Sequence, residues 1–214
     1  MGGTPRAFTA RVKNIRCGAA SREVGKEEPY VLIASIDRLA TLDALPLNKP
    51  AVHCVKVGPW SGIKDGSVSA PPSNLNPAFW DLDARARTLA ESDDVVFLIG
   101  MAENDGSSPD AIRGAVQSAL GVGIWNNLNR DYATFASTLA STMQGAIESS
   151  AMLGLDPLHL NADDLIGSVA QLPLSADDIC TINALGTLEK ALTFSRKNGS
   201  GKITEQYTVT FLFD

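Results

Sequence analysis

Apolar and polar residues alternate most clearly near the end of the chain, where Tyr207, Val209, Phe211 and Phe213 interleave with Thr208, Thr210 and Leu212. A period of two puts the first set on one face of a strand and the second on the other, so the pattern predicts a strand buried on one side. Short β-type runs bounded by turn residues predict further strands over residues 8–17, 30–36 and 52–57. Residues 58–76 carry Gly62, Gly66, Pro71 and Pro72 and predict a loop. After Asp94, the unbroken apolar run 95–99 predicts a strand covered on both faces.

In the middle of the chain the period changes. Ser108-Pro109-Asp110 has the form of a helix start, with a serine cap and proline at the first helical position. Ile112, Val116 and Leu120 then recur at helical spacing, and a break is expected over residues 121–129. A second stripe follows through Tyr132, Phe135, Leu139, Met143, Ala146 and Ile147, with Gly154 placed to close it. Strands, two helices and strands again describe a β domain with an inserted helical hairpin better than alternating βαβ units. The expected architecture is mainly β, an antiparallel β-sandwich formed by residues 1–105 and 161–214, with residues 106–160 as the hairpin. No internal repeat is present, and the Ala and Ser of 133–151 suit a tightly packed helix.

Composition narrows the partners. The 214 residues suit one domain with an insertion, and 44% hydrophobic with 20% charged residues is an ordinary globular balance. A net charge of −6 disfavours nucleic acid, whose phosphates need concentrated Lys and Arg. Cys17, Cys54 and Cys180 are odd in number and widely spaced, fitting neither a disulfide framework nor a zinc cluster, and so a cytoplasmic setting is expected. No apolar leader and no stretch of about 18 apolar residues is seen, so no transmembrane segment is expected and any membrane contact would be peripheral. Gly2 is followed by Arg6 where a myristoylation pattern wants Ser or Thr.

Four segments, in chain order, carry a family resemblance. They are Gly25-Lys26-Glu27-Glu28-Pro29-Tyr30-Val31; Asn74-Leu75-Asn76-Pro77-Ala78-Phe79-Trp80-Asp81; the run 95–99 leading into Glu103-Asn104-Asp105; and Asp163-Asp164-Leu165-Ile166-Gly167 with Leu172-Pro173-Leu174-Ser175. Together they resemble the signature positions of C2 domains and span most of the chain outside 106–160. The resemblance implies an eight-stranded antiparallel sandwich with an acidic, calcium-binding end. It also implies reversible attachment to a phospholipid membrane surface or a partner protein. Its metal ligands would be Glu28, Glu103, Asp105 and Asp164, with Asp163 beside them.

Two departures qualify that implication. Asp105 and Asp164 are separated by the whole hairpin, which would then project from, or fold over, the acidic tip. Glu28 stands where Asp is usual, and Arg22 and Glu23 fall where a second acidic ligand is expected; an Arg there repels a cation. Calcium takes roughly six to eight oxygen ligands, which carboxylates from two loops could supply. Ordinary solvated turn residues account for the same acidic positions.

Catalytic chemistry finds little in the chain. His53 and His159 are far apart and lie in no motif, and Cys54 beside His53 occupies the next strand position, so the two side chains diverge. No Gly-x-Ser-x-Gly, Walker loop or HExxH occurs, and Gly121-Val122-Gly123 lacks the third glycine and preceding strand of a dinucleotide fingerprint. Trp80 is expected in the core; Trp60 and Trp125 suit packing or an interface. Lys56 and Lys64 form no polybasic patch. The expected function is a non-enzymatic binding module. Its alternatives are a metal-free interaction or assembly module, and a pore-forming or effector protein whose hairpin inserts.

Overall fold

The computed structural model describes residues 6–20, 28–38, 52–80, 88–104, 108–152 and 165–214. Among them the fold is mainly β, with two four-stranded antiparallel sheets and three α-helices. Strands β1 (Ala10–Ala19), β4 (Val68–Ser69), β7 (Leu188–Lys197) and β8 (Ile203–Phe213) make one sheet in the order β4-β1-β8-β7. Strands β2 (Pro29–Asp37), β3 (Val52–Val57), β5 (Val95–Glu103) and β6 (Ala170–Gln171) make the other, in the order β3-β2-β5-β6.

One hydrophobic core lies between the sheets. The alternation in β8 sends Val209, Phe211 and Phe213 inward, where they join Val12 and Ile15 of β1 and Val31, Ile33, Phe97 and Ile99 of the facing sheet. The Asn-Pro turn contributes Phe79 and Trp80 to this core. Phe79 meets Phe97, Phe211 and Phe213 edge to face, with centroids 5.4, 5.9 and 6.1 Å apart, the geometry that ring quadrupoles favour.

A second core lies on the other side of the β2-containing sheet. Helices α1 (Pro109–Asn127) and α2 (Tyr132–Met152) pack there, their Ile112, Val116, Leu120, Phe135, Leu139 and Met143 against Tyr30, Leu32, Ile36, Val96 and Leu98. The hairpin expected to project from or fold over the acidic tip thus covers a sheet face instead. That position explains why β2 and β5 are buried at every residue and why the apolar runs within them, 30–34 and 95–99, do not alternate with polar residues.

The helices correct the expected boundaries too. Ser108 caps α1 through the Ala111 N–H, as its sequence predicts. The helix then continues through 121–123 to Asn127 rather than breaking at Gly121. Ile124 extends the buried stripe by one turn, and Gly123 permits the close crossing, since a Cβ there would come 3.0 Å from Leu139 Cδ2. Helix α2 opens on Asp131, whose Oδ1 accepts from the Thr134 N–H at 3.0 Å. Gly154 lies outside the described residues.

Beyond the hairpin, the described part of the segment 163–167 makes one bridge, Leu165 with Ala102, supported by the Ile166 N–H donating to Met101 O at 2.7 Å. Gly167 then turns the chain with φ +79°. Helix α3 (Ala176–Leu185) and strand β7 were not anticipated from the pattern. Ser175 and Asp178 cap α3 reciprocally, and Gly186 closes it in the left-handed region.

Candidate functional site

The pairing of Pro29 with Glu103 brings Glu28 and Glu103 to the same end of the β2-containing sheet. Glu28 is held by neutral donors: Oε1 accepts from Ser61 Oγ at 3.0 Å and Oε2 from Asn104 Nδ2 at 3.3 Å. Glu103 is 5% exposed and its Oε2 lies 3.9 Å from a terminal nitrogen of Arg196. That same nitrogen donates to Glu205 Oε1 at 3.0 Å, and Glu205 is 3% exposed. A guanidinium from β7 thus stands beside two buried carboxylates, one from β5 and one from β8. Buried carboxylates persist only with such compensation.

Asp105, Asp163 and Asp164 lie outside the described residues. The chain does return to this end, because Leu165 pairs with Ala102. Among the described residues, no three His, Cys, Asp or Glu side chains converge as a metal cluster would require. Glu28 and Glu103 therefore share an end of the sheet, but their described carboxylate contacts go to Ser61, Asn104 and Arg196.

A different feature assembles beside β3. A cleft of about 510 Å³ runs between this strand, the turn 73–77 and the first turn of α1. Its charged rim is a small network: Lys56 Nζ reaches Asp110 Oδ2 at 2.8 Å, and Arg113 Nε stands 3.7 Å from Asp110 Oδ1. The hydrogen bond from Lys56 holds the Asp110 carboxyl below its usual range, against the opposing effect of burial and with help from the Lys56 and Arg113 charges. Arg113 also donates to the Cys54 carbonyl at 3.4 Å. Burial pushes the Cys54 thiol up to about 12, only partly countered by the Arg113 charge. A thiol so placed stays protonated near neutral pH, and thiolate chemistry is closed to it.

His53 and Cys54 diverge as their strand positions require. His53 pairs with Ser35, whereas Cys54 pairs with Ala34 and its side chain joins the helix-side core. Trp60 and Trp80 are both buried, and the Trp60 indole N–H donates to Ala70 O at 3.1 Å. Trp125 is half-buried on α1, and His159 lies outside the described residues. No helix among the described residues is long and apolar enough to cross a membrane.

Sequence reasoning missed both the Arg196–Glu205 contact and the cleft. The cleft is built from residues 53–56, 73–77 and 110–113, which are far apart in the chain, and none of their separate signals pointed to a joint site. Compared with protein-family models, with curated proteins and with solved structures, the chain matches none of them.

Proposed function

We propose that this chain is a non-enzymatic binding module, a C2-like sandwich that attaches reversibly to a partner protein at the cleft beside β3, with its acidic end working without a metal. The C2-like reading is supported by where the resembling segments fall. Pro29-Tyr30-Val31 opens β2, the Asn-Pro turn delivers Phe79 and Trp80 to the core, and β5 ends at Glu103.

The observation that carries the reading is the cleft itself. It is concave and bears Lys56, Asp110 and Arg113 at its mouth, charged groups that can meet polar groups of a partner. Lys56 is already engaged by Asp110, and Lys56 with Arg113 is too small a cluster to draw the chain strongly to anionic headgroups. At the acidic end, Arg196 stands 3.9 Å from the Glu103 carboxylate, which supports a reading without a metal.

Three measurements on the full chain test this. Calorimetric titration with calcium should give no binding heat, and vesicles of anionic phospholipid should not pellet the chain with calcium or with chelator. A photo-crosslinking residue at Ser73 should capture a protein that is lost when Arg113→Glu is added. Calcium-dependent pelleting would overturn the proposal in favour of a calcium-dependent membrane module using Asp105, Asp163 and Asp164.

A further inference from the structure

The two sheets end differently at their long edges, and the contrast singles out β7. At the β3 edge, the hydrogen bonds that leave the sheet come from even-numbered residues: the Gly58 N–H donates to Leu75 O, and the Cys54 carbonyl accepts from Arg113. The turn 73–77 and helix α1 therefore engage that edge, and they flank the cleft beside β3.

In β7 the even-numbered residues point toward β8. The Arg196 carbonyl accepts from Thr204 Oγ1, and the Asn198 N–H donates to Lys202 O just beyond the strand. Strand alternation then turns the backbone groups of Glu189, Ala191, Thr193 and Ser195 away from the sheet. At Ser195 this edge is closed, since a Cβ on Gly167 would stand 3.1 Å from the Ser195 carbonyl oxygen and 3.2 Å from its nitrogen. Glu189, Ala191 and Thr193 are exposed, and among the described residues no strand pairs with them.

Long edge strands are ordinarily guarded by free charges, prolines or bulges. Between Leu188 and Phe194, β7 has neither proline nor register shift. Its two charges there are turned to partners of the same chain: Glu189 lies 2.5 Å from Lys13 and Lys190 lies 2.6 Å from Asp178.

We infer that β7 pairs with β7 of a second copy, antiparallel about a twofold axis at Ala191, joining the two β8-containing sheets into one. Two identical antiparallel strands can meet in few registers, and the local residues decide among them. Centring on Glu189 or on Lys190 sets like charges opposite each other. Centring on Leu192 or Thr193 brings Ser195, already covered by Gly167, into the ladder. Centring on Ala191 places a small residue on the axis and Glu189 opposite Thr193, and it uses only the open part of the edge.

Sedimentation equilibrium on the full chain tests this. The wild-type chain should show a concentration-dependent dimer. Ala191→Glu and Ala191→Lys should each be monomeric, because like charges then meet on the axis, and their equimolar mixture should recover the dimer. Ala191→Pro should also be monomeric with an unchanged circular dichroism spectrum, since the lost N–H is not used within the sheet. A wild-type chain that stays monomeric up to near-millimolar concentration overturns the inference and leaves the edge to a strand from a different protein. A dimer that persists in all three variants, or a mixture that stays monomeric, overturns it as well.

Discussion

Replacing residues 107–160 with a short Gly-Ser linker should destroy cooperative folding. The deletion uncovers the outer face of the β2-containing sheet, where Tyr30, Leu32, Ile36, Val96 and Leu98 are each fully or almost fully buried against the hairpin. Leaving one such side chain exposed costs about 1.5–3 kcal/mol, so the five together cost roughly 8–15 kcal/mol, an upper bound because unfolded chains are partly compact. Domains of this kind are stable by about 5–15 kcal/mol in total, so the loss matches the whole margin. The assay is urea denaturation followed by far- and near-ultraviolet circular dichroism, with dye binding as a check on exposed apolar surface. The truncated chain should keep far-ultraviolet signal, lose near-ultraviolet signal and bind the dye. Point variants in the intact chain check the same interface: Leu139→Ala on α2 and Leu98→Ala on β5 should each cost about 2–5 kcal/mol. A truncated chain that is soluble and unfolds in one sharp transition would refute this reasoning. Residues 1–105 and 161–214 would then form an independent sandwich.

Within the inner core, Phe211→Ala should cost about 3–5 kcal/mol by denaturation, while Thr210→Ala on the outer face should cost under about 1 kcal/mol; equal losses would show a misplaced strand phase. Arg196→Ala should destabilise by about 3–5 kcal/mol, because it leaves Glu103 and Glu205 buried without their shared cation, and adding Glu205→Gln should recover part of that loss. With native protein, a thiol reagent should modify the exposed Cys180 and reach the buried Cys17 and Cys54 only on unfolding. The raised Cys54 pKa also sets a pH dependence: its contribution is full below the unfolded thiol value of about 8.5 and declines as pH rises from there toward about 12. A stability curve flat across that alkaline range in wild type and Cys54→Ala alike would contradict the assigned burial.

Several elements were legible because one periodicity dominated each of them. The alternation in β8 and the helical stripes of α1 and α2 correspond to real buried faces, and the apolar runs in β2 and β5 correspond to strands covered on both sides. Strand β7 was obscured because two of its inward positions are cationic. Lys190 and Arg196 face α3 and the acidic end, where Asp178, Glu103 and Glu205 compensate them, so Leu188, Leu192 and Phe194 do not form an unbroken apolar series. Helix α3 was hidden by its brevity, although its Ser175–Asp178 cap is a recognisable start signal. The position of the hairpin was not legible either, because a buried helical stripe is the same whether it faces a second helix alone or a helix and a sheet.

The candidate site was less legible than the fold, for a reason visible in Glu103. Sequence shows an acidic residue at the end of a strand, and a solvated turn, a metal ligand and a buried ion-pair partner all share that appearance. What separates them is the neighbour across the sandwich, and Arg196 lies 93 positions away in the chain, at a place where the strand itself was unrecognised. The cleft beside β3 has the same origin: Lys56, Asp110 and Arg113 acquire a joint role only once α1 is laid across the sheet. Local sequence could supply the charges but not their pairing, and the pairing decides the chemistry. An unpaired Glu103 would call for a cation, whereas a Glu103 sharing Arg196 with Glu205 ties three strands, β5, β7 and β8, at one end of the sandwich. The hairpin deletion and the Arg196 variants therefore probe different joints of the molecule. One removes the layer that covers a sheet, the other the charge that stands between the two sheets.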